Sequence, residues 1–298
     1  MMRLQTLENI PYEKLLEVFN LSFSDYIVPL CLTQEQLEDK IKTDSIKLEF
    51  SVGAFEDNQL IAFILHGYDM IDNLKIVYNA GTGVIPAKRG NRLTKKLYEY
   101  VFPILQENDI DKVLLEVITI NEPAIKTYTN IGFKTTRELN CFKGSIDIPN
   151  TNNDFQIREM REYDWQKLYS FWDFKPSWQN NSTAVERLQQ SNISIGIYEN
   201  EKLLGYTIFN PKLKRLHQLS VDKNYRKRGI GRRLLKHIST NYGKDISITN
   251  IDNSSKETLK FLTGVGMNIY IKQHEMELTL KNAIDSIHDA AGVPPALC

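Results

Sequence analysis

The stretch SVGAFEDNQLIAFIL at 51–65 returns at 194–208 as SIGIYENEKLLGYTI. Serine, an apolar residue, glycine, an apolar residue, an aromatic, glutamate, polar residues and leucine recur in that order. The match continues downstream: VIPAKRGNRLTKKL from Val84 parallels VDKNYRKRGIGRRL from Val221, and YTNIGF from Tyr128 parallels LTGVGM from Leu262. A duplication of this extent requires the chain to build the same unit twice. Its 298 residues are enough for two ordinary domains. We place them at 1–145 and 154–298, with the polar, turn-rich GSIDIPNTNNDF at 144–155 as the boundary.

Each copy carries the same order of elements. A helical start (PYEKLLEVFNLSF; YDWQKLYSFWDF) precedes a hairpin whose turns fall at Glu56-Asp57-Asn58 and Glu199-Asn200-Glu201. A further strand, a polar loop and a helix follow. In the second copy Ile230, Leu234, Leu235 and Ile238 share one face of that helix, and Gly243 ends it. In the first, Leu93, Leu97, Val101, Ile104 and Leu105 do so, with a kink expected at Pro103. Then come a strand, a last helix and a closing strand. The last helix begins at Asn121 in the first copy and at a Ser254–Glu257 capping-box pattern in the second. The fold class is mixed α/β (α+β): in each copy, helices flank a mostly antiparallel sheet.

Lys+Arg and Asp+Glu both number 37, so the formal net charge is zero and a general nucleic-acid partner is disfavoured. Cys31, Cys141 and Cys298 are too widely spaced for a metal-ligand set or a disulfide framework, so no metal is expected. Reduced thiols and the absence of an apolar leader point to a cytoplasmic protein. No apolar run reaches membrane-spanning length, so no membrane partner is expected.

The loop NYRKRGIGRRLL at 224–235 sits between a strand and a helix start. Unpaired amides and the helix dipole favour an anion there. Gly229 and Gly231 let it approach the backbone closely on either side of Ile230, and Arg226, Lys227, Arg228 and Arg232 add positive charge. The loop lacks the Lys-Ser/Thr pair of a nucleotide-triphosphate loop and the G-x-G-x-x-G of a dinucleotide fold. A pyrophosphate is the natural guest; a basic, solvated helix start is the plain alternative.

RKRGIG at 226–231 resembles the acyl-CoA loop of the GNAT superfamily of N-acetyltransferases, Gln/Arg-x-x-Gly-x-Gly/Ala. NEPAIKTYTNIGF at 121–133 resembles the family's Asn-x-x-Ala…Tyr-x-x-x-Gly-Phe segment. With the element order, the resemblance covers nearly the whole chain twice, that of a tandem GNAT protein. It implies acetyl-CoA as co-substrate. Its pyrophosphate would lie on the amides of 228–231, and its thioester on a backbone N–H of the preceding strand, at Leu219 or Val221 (Val84 in the first copy). The corresponding first-copy contacts are Arg89, Gly90, Asn91, Thr94 and Asn121. The resemblance makes Tyr128 the acid that protonates the leaving thiolate; the other reading is an aromatic packed beside Phe133. Glu116 and His217, on strands, are candidate bases, against the readings of a solvated strand residue and a hydrogen-bonded core histidine. Asp25 with Tyr26, and Asp173 with Trp172 and Trp178, are candidates for receiving a cationic amine, against the reading of plain core aromatics.

The two copies depart from the family pattern in opposite ways. The second keeps the loop but has Leu262 where the tyrosine belongs and Met267 for the phenylalanine; the first keeps Tyr128 but has Arg92 and Thr94 where the loop needs small residues. Tyr128 tilts catalysis towards the first copy. A transition-state proton donor is worth roughly 10²–10⁴-fold in rate, whereas saturating cofactor offsets weak binding. The expected function is acetyl transfer from acetyl-CoA to a primary amine of a small molecule or peptide. A non-catalytic acyl-CoA-binding scaffold of degenerate copies is the alternative, and a homodimer is left open.

Overall fold

The computed structural model describes residues 1–28, 30–149 and 155–280. The described residues divide into two compact units: unit 1 holds Met1–Thr136 together with residues 274–280, and unit 2 holds Arg137–Gln273.

In unit 1, β1 (Met2–Thr6) is followed by helices α1 (Tyr12–Ser22) and α2 (Gln34–Thr43). Strands β2 (Val52–Glu56), β3 (Gln59–Ile71) and β4 (Leu74–Val84) then run antiparallel, with β1 on the outer edge of β2. After α3 (Leu93–Glu107), β5 (Lys112–Ile118) joins β4 in parallel, and α4 (Glu122–Ile131) leads into β6 (Lys134–Ser145). The hairpin turn between β2 and β3 has Asp57 and Asn58 both left-handed, the geometry that suits the twist of a tight hairpin. Helix α2 is capped reciprocally by Thr33 and Gln36.

Alternation along β3 sends Ala62 and Ile64 to one face and Phe63 and Leu65 to the other, and all four are buried. On the first face lie Leu93, Leu97, Val101 and Leu105 of α3, spaced as one helical stripe. On the second lie Leu15, Val18 and Phe19 of α1. Burial of each such side chain contributes about 1.5–3 kcal/mol. Helix α3 runs through Pro103 to Glu107.

Unit 2 repeats the plan. Its strands β7 (Gln156–Glu159), β8 (Ile193–Glu199), β9 (Lys202–Asn210) and β10 (Arg215–Val221) are antiparallel, and β11 (Asp245–Asp252) is parallel to β10. Helices α5 (Trp165–Phe171) and α6 (Ser182–Arg187) precede β8, α7 (Ile230–Tyr242) follows β10, and α8 (Lys256–Thr263) follows β11. Ile230, Leu234, Leu235 and Ile238 of α7 are buried on one face of the sheet, Leu168 and Phe171 of α5 on the other. The expected capping box at α8 is absent: the N-cap is Ser255 with no side-chain bond, because Ser254 Oγ donates to Asp252 at 2.6 Å instead.

The final strand β12 (Asn268–Thr279) departs from the expected contiguous boundaries. Residues up to Gln273 belong to unit 2, where Lys272 pairs with Glu138. From His274 the strand belongs to unit 1 and lies beside β5: Glu277 pairs with Lys112 at 2.8 Å, and Leu280 N–H donates to Asp111. Strand β6 likewise passes from unit 1 to unit 2 after Thr136. At 12 residues each, both strands extend about 40 Å, and each contributes residues to both units. Nor is 144–155 a bare linker: Ile146 and Ile148 are fully packed into unit 2. Residues 150–154 and Cys298 lie outside the described residues.

Candidate active site

In each unit one parallel strand pair opens like a fork. Strand β10 pairs with β11 only at Arg215–Ser247 and Leu216–Ile248; β4 pairs with β5 only from Ile76–Lys112 to Tyr78–Leu114. Beyond those points the inner edge of the fourth strand is left without a neighbour. Asp222 N–H donates to Leu204 on β9. By alternation, the N–H groups of Leu219 and Val221 face the other way, into the fork. Ile85 N–H donates to Ile61 in unit 1, which turns Val84 the same way.

In unit 2 the fork opens into a cavity of about 1120 Å³. Following β10, the cavity is lined first by His217 and Gln218, then by Leu219, Ser220 and Val221, then by Tyr225–Lys227 and Gly229–Arg232 at the start of α7. Ile248–Ile251 of β11 and residues of α8 between Glu257 and Thr263 form the facing wall; Asn180, Tyr206 and Trp172 gather at the His217 end, and Asp173, Phe174 and Pro176 also line the cavity.

The α7 end is built for an anion. The first-turn amides of a helix have no intrahelical acceptor, and those of Gly229–Arg232 open on the cavity. Gly229 sits at φ +84°, a left-handed N-cap suited to glycine. A Cβ on Gly231 would lie 3.0 Å from the Phe261 ring of α8. Lys227, Arg232 and Lys260 line this end, and Arg232 bridges to the Gly264 carbonyl at 3.2 Å.

Two of the expected loop arginines have other tasks. Arg228 pairs with Glu199 at 2.9 Å, and its guanidinium lies over Phe155 and Tyr225. Arg226 donates to the Val221 and Phe171 carbonyls and to Asp173 at 2.9 Å. Unit 1 repeats that clamp: Arg89 donates to the Val84 and Ser22 carbonyls and grips Asp25 at 2.7 Å with both terminal nitrogens. These hydrogen bonds hold the Asp25 carboxyl below its usual range. Asp25 and Asp173 are therefore arginine partners, which corrects the reading of both as open receivers for an ammonium.

The His217 end holds a polar chain that begins at Trp172 and Tyr206. Trp172 Nε1 donates to Tyr206 Oη at 2.6 Å, Tyr206 donates to Gln218 Oε1 at 2.7 Å, and Gln218 Nε2 donates to the Asn180 carbonyl at 2.7 Å. His217 is the extra residue where the β9–β10 register shifts, so the bulge re-aims its ring. Its Nδ1 lies 3.3 Å from Asn180 Oδ1, and its Nε2 is buried without a partner. Burial, helped by the nearby Arg215 charge, pushes its pKa down to about 3. The ring is thus neutral, and Nδ1, beside acceptor oxygens of Asn180 and Gln179, carries the proton. Nε2 is left as a bare acceptor. Trp178 is core and does not line the cavity.

In unit 1, Tyr128 is buried edge-on against Tyr98 and Phe133, with its hydroxyl near Thr82 and Asn79. Burial raises its pKa. Asn121 caps α4 and lies 3.5 Å from Tyr26 Oη, so Tyr26, Asn121, Thr82 and Tyr128 come together. Glu116 is half-buried and accepts from Tyr78 at 3.1 Å. In the loop, Gly90 and Arg92 are both left-handed, and Arg92 occupies the helix N-cap that Gly229 holds in unit 2. Asn91 folds onto the carbonyls of Lys88 and Arg89, and Thr94 lies in the first turn of α3.

Among the described residues no group of acidic, histidine and cysteine side chains is arranged to hold a metal, and no helix is long and apolar enough to cross a membrane. The polar chain and the arginine clamp were missed in the sequence. The clamp had a signal, since Arg89 and Arg226 each stand five residues beyond their strand valine.

A helix-flanked sheet, forked between two parallel strands and closed by a glycine-opened helix start, is the architecture of an acyltransferase. The chain belongs to the acetyltransferase (GNAT) family, whose model matches residues 12–133 and 157–254. Among solved structures it resembles a GCN5-related N-acetyltransferase from Sphaerobacter thermophilus, at 13% identity, TM-score 0.66, over 94% of this chain and 95% of that one. It also resembles a tandem GNAT protein from the clavulanic acid biosynthesis pathway, at 9% identity and TM-score 0.66, over 94% and 99%. A putative acetyltransferase from Pyrococcus horikoshii aligns at 12% identity and TM-score 0.65, over 93% and 89%. No curated protein matches by sequence.

Proposed function

We propose that the protein is an acetyl-CoA-dependent N-acetyltransferase whose working copy is unit 2. The observation that carries this is the continuity of the unit 2 cavity, from the glycine-opened start of α7, along the free edge of β10, to His217. In this reading the amides of Gly229–Arg232 hold the pyrophosphate, with Lys227 and Arg232 beside it. The Leu219 and Val221 amides hold the pantetheine and the thioester oxygen. His217 Nε2 accepts the amine proton as the nitrogen attacks. The first copy is the altered one, with Arg92 at the N-cap and Tyr128 packed into the core. This reverses the leaning drawn from Tyr128 alone.

Leu262 favours a second reading, a binding protein without chemistry: it is wholly buried where the family places its acid. An open cavity answers the objection, because water can protonate a thiolate. Calorimetry with acetyl-CoA, run alongside thiol release over a panel of amines, separates the two. Tight binding without thiol release on any amine selects the scaffold; no binding to a folded protein removes both readings.

A further inference from the structure

The unit 2 cavity is lined by the apolar and aromatic Trp172, Phe174, Pro176 and Tyr206, and no carboxylate bonds to the His217–Gln218–Tyr206–Trp172 group at its acceptor end. The two acids lining the cavity, Asp173 and Glu257, both pair with Arg226, at 2.9 and 3.8 Å. Behind the Asn180 and Thr249 wall stands Arg215. Its Nη2 donates to three neutral oxygens: Gln179 at 3.1 Å, Asn180 at 3.3 Å and Thr249 at 2.6 Å. Its Nε is buried without a partner, and among the described residues no carboxylate pairs with it. The wall at this end is therefore backed by a guanidinium with no carboxylate in ion-pairing range. An ammonium entering here would lose its hydration, meet no free carboxylate at this wall and have a guanidinium behind it.

Resting on the acetyl-transfer reading, we infer that the acceptor is a weakly basic aryl or heteroaryl amine that enters uncharged, rather than a polyamine, an aminoglycoside or a lysine side chain. A flat ring suits a cavity lined by Trp172, Phe174 and Tyr206. A neutral amine needs no prior deprotonation, so a neutral His217 suffices. The amine lone pair forms the C–N bond at the thioester carbonyl. The C–S bond breaks with its pair going to sulfur. The proton shed by nitrogen passes to His217 Nε2 and on to the thiolate. The products are the N-aryl acetamide and the CoA thiol.

The test measures acetyl-CoA binding by calorimetry and thiol release with 4-methoxyaniline, tryptamine, spermidine and kanamycin. The expected result is a kcat/KM for 4-methoxyaniline at least about ten-fold above that for the three cationic amines. Arg215→Gln should narrow that gap through tryptamine, with acetyl-CoA affinity unchanged. If Arg215→Gln does not fold, Asn180→Asp, which supplies a counter-charge at the same wall, should narrow it likewise. Preference for spermidine or kanamycin overturns the inference, as does bound acetyl-CoA with no transfer to the aryl amine. Failure to bind acetyl-CoA at all overturns the acetyl-transfer reading itself.

Discussion

Arg226 and Asp173 form an ion pair at 2.9 Å, and the same guanidinium ties the carbonyls of Val221 and Phe171. It staples the end of the forked strand to the end of the first helix of unit 2. Arg226→Ala should therefore lower the stability of unit 2 by about 1–2 kcal/mol, allowing for partial exposure of the pair. It should also weaken acetyl-CoA binding, because the loop before α7 loses its anchor. Asp173→Asn keeps a hydrogen-bond acceptor and should cost less. Thermal unfolding and calorimetry on both variants check the order.

Gly229 and Gly231 differ in what they protect. A residue other than glycine at Gly229 must adopt φ near +84° and pays about 1–2 kcal/mol. Gly229→Ala should fold and still bind acetyl-CoA, whereas Gly229→Asp should fold and lose binding by charge. At Gly231 the conflict is steric, with Phe261 at 3.0 Å. Gly231→Ala should weaken binding modestly, and Phe261→Leu should restore it. Unchanged affinity in Gly229→Asp would remove the pyrophosphate assignment.

The division of labour between the copies is read from two single substitutions. His217→Ala should lower kcat by about 10²-fold or more with little change in acetyl-CoA affinity. Tyr128→Phe should leave kcat within about two-fold and cost unit 1 no more than about 1 kcal/mol for the lost polar contacts of the hydroxyl. Steady-state kinetics with equilibrium unfolding decide it; an inactive Tyr128→Phe returns the chemistry to unit 1.

Acid should destabilise the protein through two buried imidazoles. Burial lowers the pKa of His66 to about 4 and of His217 to about 3, from an unfolded value of 6.5. The folded state then binds fewer protons than the unfolded one. Stability from these groups is complete above pH 6.5 and is lost as pH falls through the folded values. His66→Gln and His217→Gln should each flatten the stability profile between pH 6.5 and 4, as read by denaturant titration at several pH values.

The duplication, the hairpins and the helix stripes were legible because they rest on local periodicity and turn chemistry. Ile230, Leu234, Leu235 and Ile238 fall on one face by spacing alone, and they are buried as expected. Helix α2 was overlooked although Thr33 and Gln36 carry a capping-box spacing, because QEQLEDKIKT offers little apolar stripe beyond Leu37 and Ile41. The glycine loop was legible as an anion site, but the fate of each arginine was not. Whether Arg226 faces a ligand or Asp173 depends on residues more than fifty positions apart. His217 could be suspected from its strand, yet its bare Nε2 arises from a bulge and from Asn180, neither of which has a signature in the sequence.

The handover at His274 has a consequence for biosynthesis. Met276, Leu278 and Leu280 fill the core of unit 1 beside Phe133, yet they are translated after the whole of unit 2. Nascent domains usually fold in the order they emerge. Here the first to emerge waits with an open seam until the ribosome has passed residue 280. A stalled or truncated chain thus exposes the first unit's interior although that unit's contiguous sequence is complete.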